Sequence, residues 1–174
     1  MTLYLLRHGE TVENNMHILQ GQTHGTLSEN GRAQAATLRE RISPDMFDII
    51  ISSDLHRVTN TVEIWLDGRQ PKEWLRMPLF RERDWGSLTG HTTNNIDLTH
   101  LPDDVETKQQ LYDRAGKALD YLLTNHGDKT LLVASHGLFL QFLMARIGNV
   151  PIDKTREVEH MRNCETRRFE IPTI

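Results

Sequence analysis

Arg7, His8 and Gly9 stand together at the end of an apolar run, Leu3-Tyr4-Leu5-Leu6. An arginine's planar fork binds two oxygens of an anion at once, and an imidazole beside it serves as a nucleophile or a base. Gly9 lets the backbone come close to a bound group. The same pattern returns as Ser135-His136-Gly137, after the run at 129–134. Arg57 follows a third run, Ile49-Ile50-Ile51, by way of Ser52-Ser53-Asp54. Each has a plain alternative when taken singly: a histidine that only ends a strand, or an arginine on a wet helix face. Three such groups at three strand ends point to one anion-handling site.

The elements that must position them alternate between two periods. Short apolar or β-branched runs predict strands at 3–6, 47–51, 73–77 and 129–134, with a terminal pair at 157–161 and 166–171 around a turn at Asn163. Ser28 is a natural N-cap for a helix over 28–42, with Ala35, Leu38 and Ile42 on one face and Pro44 closing it. Ser52-Ser53-Asp54 offers caps for a helix whose stripe is Leu55, Val58, Val62 and Trp65. Arg57 lies one residue off that stripe, in the first turn. Leu111, Ala115, Ala118 and Leu122 mark a helix over 105–124, and 138–147 is apolar nearly all round, as in a deeply buried helix. A polar loop covers 15–27. The stretch 78–104 is irregular, and so long a stretch inside a compact domain is usually functional. Strands alternating with helices predict a three-layer α/β/α sandwich with a mostly parallel central sheet. In such sheets ligands sit at the carboxyl ends of the strands.

Composition narrows the classes further. A chain of 174 residues fits one domain, and a formal net charge of −4 leaves no basic footprint for nucleic acid. Cys164 is the only cysteine, which excludes an intrachain disulfide framework and a cysteine-rich zinc site and fits a reducing compartment. The first apolar run breaks at Arg7, unlike a signal segment, and no stretch approaches the roughly 20 apolar residues of a membrane span. A cytoplasmic protein with no membrane partner is the expectation.

Leu6-Arg7-His8-Gly9-Glu10-Thr11 resembles the signature of the histidine phosphatase superfamily, the phosphoglycerate mutase-like proteins. The resemblance runs through nearly the whole chain. Asn14 matches the asparagine after the signature. Leu27-Ser28 with Gly31 and Gln34-Ala35 resembles the start of the family's first helix. Ser52-Ser53-Asp54-Leu55 with Arg57 and Thr61 matches its second arginine motif. Arg81-Glu82 with Gly86 and Gly90 matches its acidic loop, and Ser135-His136-Gly137 its second histidine. The resemblance implies a phosphoglycerate mutase-like fold over 1–174, with a short cap-like insertion around 78–104. It implies that His8 attacks phosphorus to give a phosphohistidine, and that Arg7, Arg57 and His136 form the phosphate pocket. Asn14 and the Gly137 amide would be further donors. Glu82 would protonate the leaving oxygen and then help activate water. No metal or other cofactor is implied, since two arginines supply the charge that phosphoryl transfer needs.

The chain departs from the family in the loop Thr23-His24-Gly25-Thr26, where relatives often carry an acidic residue followed soon by proline. Thr23, His24 and Trp85 are candidates for the pocket rim, with Trp85 offering a ring on which a nucleotide-like ester would stack. The other histidines (His17, His56, His91, His100, His126 and His160) read as surface or structural. Between His91 and Gln110 stand one lysine, Lys108, and no arginine, so a bisphosphate intermediate would be poorly held. Trp85 also stands where the mutases tend to have tyrosine. The expected activity is hydrolysis of a small phosphomonoester; a mutase and a silent phospho-ligand binding module are the alternatives.

Overall fold

Period two along the strands divides the apolar residues between two cores. The structure, a computed structural model, describes residues 1–172; Thr173 and Ile174, the end of the 1–174 span, lie outside the described residues. The strands are β1 (Thr2–Arg7), β2 (Ile49–Ser52), β3 (Trp74–Arg76), β4 (Thr130–Ser135) and β5 (Thr166–Glu170), in one sheet of order β3-β2-β4-β1-β5. Every pairing is parallel except that of β5 with β1. Leu3, Leu5, Ile49, Ile51, Leu131 and Val133 face the helices α4 (Lys108–His126) and α5 (Gly137–Ile147). Leu6, Ile50, Leu132 and Ala134 face the other way, onto Val58, Val62 and Trp65 of α3 (His56–Leu66). A further helix, α2 (Glu29–Thr37), packs on α3. This is the three-layer sandwich the alternation predicts, with a mostly parallel sheet.

The topology fixes where a ligand belongs. The chain leaves β1 toward α2 on one face and leaves β4 toward α5 on the other, and β1 and β4 are neighbours with Arg7 opposite Ser135. The crevice between two such diverging connections is the switch point of an open α/β sheet. His8 and His136 flank it.

Several boundaries differ from the sequence reading. Helix α2 stops at Thr37 and a 3-10 turn, Leu38–Glu40, follows, so Ile42 lies beyond it. A four-residue helix, α1 (Val12–Asn15), forms where a loop is expected from Asn15 on, because Thr11 and Asn14 complete a capping box. Helix α4 starts at Lys108 rather than Val105, behind a Thr107–Gln110 capping box. The terminal strand pair does not form. The first half, 157–161, begins at the end of a 3-10 turn, Ile152–Glu157, and continues as a segment whose carbonyls are taken by side chains. Gln141 donates to Val158 O, Arg167 to Glu159 O and His160 O, and Arg7 to Met161 O. With those acceptors spent, no ladder is left to build. The segment at 78–104 contains three 3-10 turns and no strand. No helix among the described residues is long and apolar enough to cross a membrane.

Trp65 is fully buried on the α2–α3 side, and its indole N–H donates to Ile42 O at 3.1 Å. Replacing it with alanine empties the centre of that core. Trp65→Ala is expected to cost about 3–5 kcal/mol in urea unfolding, against less than about 0.5 kcal/mol for Arg156→Ala on an exposed turn. Equal costs would mean that this side of the sheet is not a packed core.

Candidate active site

His8 leaves the end of β1 with its backbone N–H donating to Ser135 O at 3.1 Å, so the two histidine-bearing strand ends are bonded to each other. Its side chain is 3% exposed. Nδ1 lies 2.7 Å from Gly9 O, an acceptor only, so Nδ1 carries the proton and Nε2 presents a lone pair. Burial first, then Arg57 and Arg7, hold the imidazole well below the ordinary histidine range, so it is neutral at pH 7. Its ring centroid is 5.3 Å from that of His136. The expectation that Gly9 makes room for a ligand is corrected. A Cβ there would meet Gly31 O at 2.6 Å, so the glycine serves the close approach of β1's end to the start of α2.

Arg57 is 1% exposed, not the solvated arginine its helix position also allowed. Its Nε–H donates to His136 Nδ1 at 3.1 Å, and its Nη groups donate to the carbonyls of Gly21, Thr23 and His24. That bond fixes the tautomer of His136. Nδ1 accepts, so Nε2–H donates, to Ser53 Oγ at 2.8 Å. The ring of His136 is fully buried and neutral, held down by burial, then Arg57 and His8. Ser53 therefore orients a histidine, where the sequence suggests only a helix cap; α3 has no side-chain cap bond at Leu55. Asp54 pairs with Arg81 at 2.6 Å instead. Burial pushes the Arg57 guanidinium down to about 10, still charged at pH 7.

Arg7 is the second cation. One Nη donates to Met161 O at 2.6 Å, while its buried Nε has no partner among the described residues. Gly137 lets it lie there: a Cβ at that position would sit 3.0 Å from the Arg7 guanidinium carbon. Neither Arg7 nor Arg57 forms an ion pair with a carboxylate among the described residues. An anion at the switch point would be the first.

The Glu82 carboxylate sits at the start of α5. Oε1 accepts from Phe139 N and Arg83 N, both at 2.9 Å, and Oε2 from Leu138 N at 3.1 Å. The N-cap of α5 is His136, whose side chain makes no cap bond, so the cap comes from another loop. Through α5 the Glu82 carboxylate is tied to the second and third residues after His136.

The remaining expected residues fall around this centre unevenly. Asn14 Oδ1 is taken by Thr11 N at 3.1 Å, leaving its NH2 group without a partner among the described residues. Thr23 and His24 reach the site through their carbonyls on Arg57, and the exposed His24 ring stacks on His56 with centroids 3.7 Å apart. Trp85 is not open at a rim: it is 9% exposed, with the Arg83 guanidinium 4.3 Å over its ring. The sequence reading missed Gln20, a buried amide whose Oε1 has no partner among the described residues, and His160, whose imidazole feels both Arg7 and Glu82. A polar side chain just ahead of the departing loop was the only signal for Gln20, and nothing local marked His160. A surface crevice of about 660 Å³, lined by Arg41, Arg162, Asn163 and Cys164 among others, includes none of Arg7, His8, Arg57, Glu82 or His136. Chemistry places the site at the histidines instead.

Residues 3–173 match the family described as the histidine phosphatase superfamily (branch 1). The chain belongs to that superfamily. Its relatives within the superfamily carry different activities in their names. A probable phosphoglycerate mutase GpmB of Serratia proteamaculans (strain 568) is 31% identical over 98% of this chain and 85% of the relative. Among solved structures, Bacillus stearothermophilus YhfR superposes with a TM-score of 0.89 at 28% identity, covering 98% of this chain and 91% of that one. A phosphoserine phosphatase of Entamoeba histolytica, in complex with 3-phosphoglyceric acid, gives 0.83 at 25% identity, covering 97% and 90%. The chain is thus similar both to a phosphoserine phosphatase, in fold, and to a probable mutase, in sequence.

Two histidines held neutral by the fold have a consequence for acid stability. In the unfolded chain each titrates near 6.5, so below that pH the unfolded state binds protons that the folded state does not. Their contribution is intact above about pH 6.5 and is lost as pH falls, at about 1 kcal/mol per pH unit for each histidine between pH 6 and 5. Urea unfolding of His8→Gln across this range is expected to show a slope shallower by that amount. An unchanged slope would mean that His8 is protonated in the folded protein.

Proposed function

We propose that this protein hydrolyses small phosphomonoesters through a phosphohistidine on His8. The observation that carries this is the fixed tautomer of His8. Nδ1–H is spent on Gly9 O, so Nε2 is a free lone pair beside two guanidiniums, Arg57 buried and Arg7 partly buried, that have no carboxylate partner among the described residues. A phosphate dianion between Arg7 and Arg57 would supply the missing negative charge, and transfer would need little more than in-line placement. Nε2 attacks phosphorus, the ester P–O bond breaks, and Glu82, which takes up a proton when the phosphate dianion is bound beside it, gives that proton to the departing oxygen. In the second step water attacks phosphorus, Glu82 takes the water's proton, and the P–N bond breaks to release phosphate and the neutral imidazole. His136, held by Ser53, keeps Arg57 aimed, and the NH2 of Asn14 and the Gly137 amide are further donors to phosphate oxygens. The arginines carry the compensating charge, so this reading assigns no metal to the reaction.

A mutase reading has one specific support, the name of the probable phosphoglycerate mutases it resembles. The residues between His91 and Gln110 oppose it, with Lys108 as their single basic side chain other than histidine.

The test is phosphate release from a panel of small phosphomonoesters, with and without a chelator, for the parent and His8→Ala. Expected are chelator-resistant release, its loss by at least about 10³-fold in the variant, and an acid-labile phosphoenzyme trapped by rapid quench. Interconversion of phosphoglycerate isomers that depends on a bisphosphate primer, without net release, would establish the mutase instead. Tight phosphate binding with neither reaction would leave a binding module.

A further inference from the structure

Glu82 stands on a loop with short 3-10 turns and no strand or α-helix, yet its backbone is gripped from both sides by one ion pair, Arg114 of the neighbouring helix α4 with Glu106 just ahead of it. Arg114, in the second turn of α4, spends five N–H donors there. Nε and Nη2 donate to the two Glu106 carboxylate oxygens, each at 2.8 Å. Nη1 donates to Leu79 O at 3.0 Å and Arg81 O at 2.7 Å, and Nη2 also to Glu82 O at 3.2 Å. Glu106 holds the other flank. Its carboxylate accepts from Asp84 N at 3.0 Å, its N–H donates to Asp84 O at 2.9 Å, and its carbonyl accepts from Arg83 Nε at 2.7 Å. Both side chains are largely buried, at 17% and 12% exposed. The Arg114 guanidinium also lies 4.8 Å over the ring of Phe139, whose N–H holds Glu82 Oε1.

None of these bonds reaches Arg7, His8 or Arg57. The pair touches the loop on either side of one residue, and through Phe139 the group that fixes that residue's carboxyl. We infer that Arg114, locked by Glu106, is the positioning residue that aims the Glu82 carboxyl at the leaving oxygen. The inference rests on the proposed role of Glu82 as proton donor. Only arginine fits this place: a lysine ammonium is a point with three donors and cannot hold three carbonyls and a carboxylate together.

Aim matters only where the proton matters. A poor alkoxide leaving group needs the acid, while an activated aryl oxide departs without it. The readout is kcat/KM, which covers the steps through the first P–O cleavage, for an alkyl phosphate (glycerol 3-phosphate as the probe) and for p-nitrophenyl phosphate. Arg114→Lys is expected to lower the alkyl value by about 10- to 100-fold and the aryl value by less than about 3-fold, the scale on which a misplaced acid loses its effect. Competitive inhibition by inorganic phosphate should stay within about 2-fold, since the phosphate pocket is untouched. In a Glu82→Gln background, Arg114→Lys should cost the alkyl substrate less than about 3-fold. Equal losses on both substrates, or a full loss in the Glu82→Gln background, would overturn the inference and leave Arg114 a structural residue. Glu106→Gln, which keeps the volume and removes the charge, decides in the same way if Arg114→Lys does not fold. If Glu82→Gln alone lowers both substrates equally, the role of Glu82 as acid is what fails. An acid confirmed by that variant, with Arg114→Lys silent, refutes only the positioning.

Discussion

A buried guanidinium without a carboxylate partner among the described residues governs this structure. Arg57 lies in the interior at the start of α3, and its charge is met by carbonyl dipoles and one neutral imidazole. Burying a cation on those terms is costly. The cost is spread over everything that bonds it: the loop at 21–24 must curl back to offer three carbonyls, and His136 must keep its Nδ1 lone pair turned inward. Ser53 then fixes the far side of that ring. Arg7 adds a second cation with a donor still unspent. Positive charge thus gathers at the junction of β1 and β4, and it is this charge that the proposed phosphate ester would meet.

Glu82, the proposed acid, is organised by a different device on the opposite face. Helix α5 has no cap from its own N-terminal residue, and Glu82 supplies it from a loop. One carboxyl therefore serves a helix terminus and faces the two arginines, which both feel its charge. A loop rich in 3-10 turns would be a poor platform for such a group. The Arg114–Glu106 pair turns it into a rigid one by bonding mainly to its backbone, with one further bond from the Arg83 side chain to the Glu106 carbonyl.

Much of this was legible in the sequence, and the limits have physical reasons. The strands announce both cores through alternation, since Leu3 and Leu5 part from Leu6 by the pleat alone. The recurrence of Arg7-His8, Arg57 and His136 at strand ends located the site, because parallel sheets gather those ends on one edge. Contacts between distant segments were not legible. Residues 157–161 have the composition of a strand, but side chains from α5, β1 and β5 claim their carbonyls first. Ser53 looks like a cap and orients a histidine. Trp85 looks like a platform for a ligand, and Arg83 already covers it. Arg114 sits on a helix with an ordinary polar stripe, and only the folded loop shows what its five donors meet.

The pairing of β1 has a meaning for how the chain comes to exist. Thr2 lies opposite Thr130 on one side and Glu170 on the other, and the N–H of Cys164 bonds to the carbonyls of Arg7 and His8. The strand that leads into His8 thus has no strand partner among the hundred or so residues that follow it. During synthesis it emerges before β4 and β5 and waits, an apolar segment with both edges open, until they arrive. The candidate site is therefore among the last parts of this domain to assemble, and a nascent chain leaves β1 unpaired through most of the domain's synthesis.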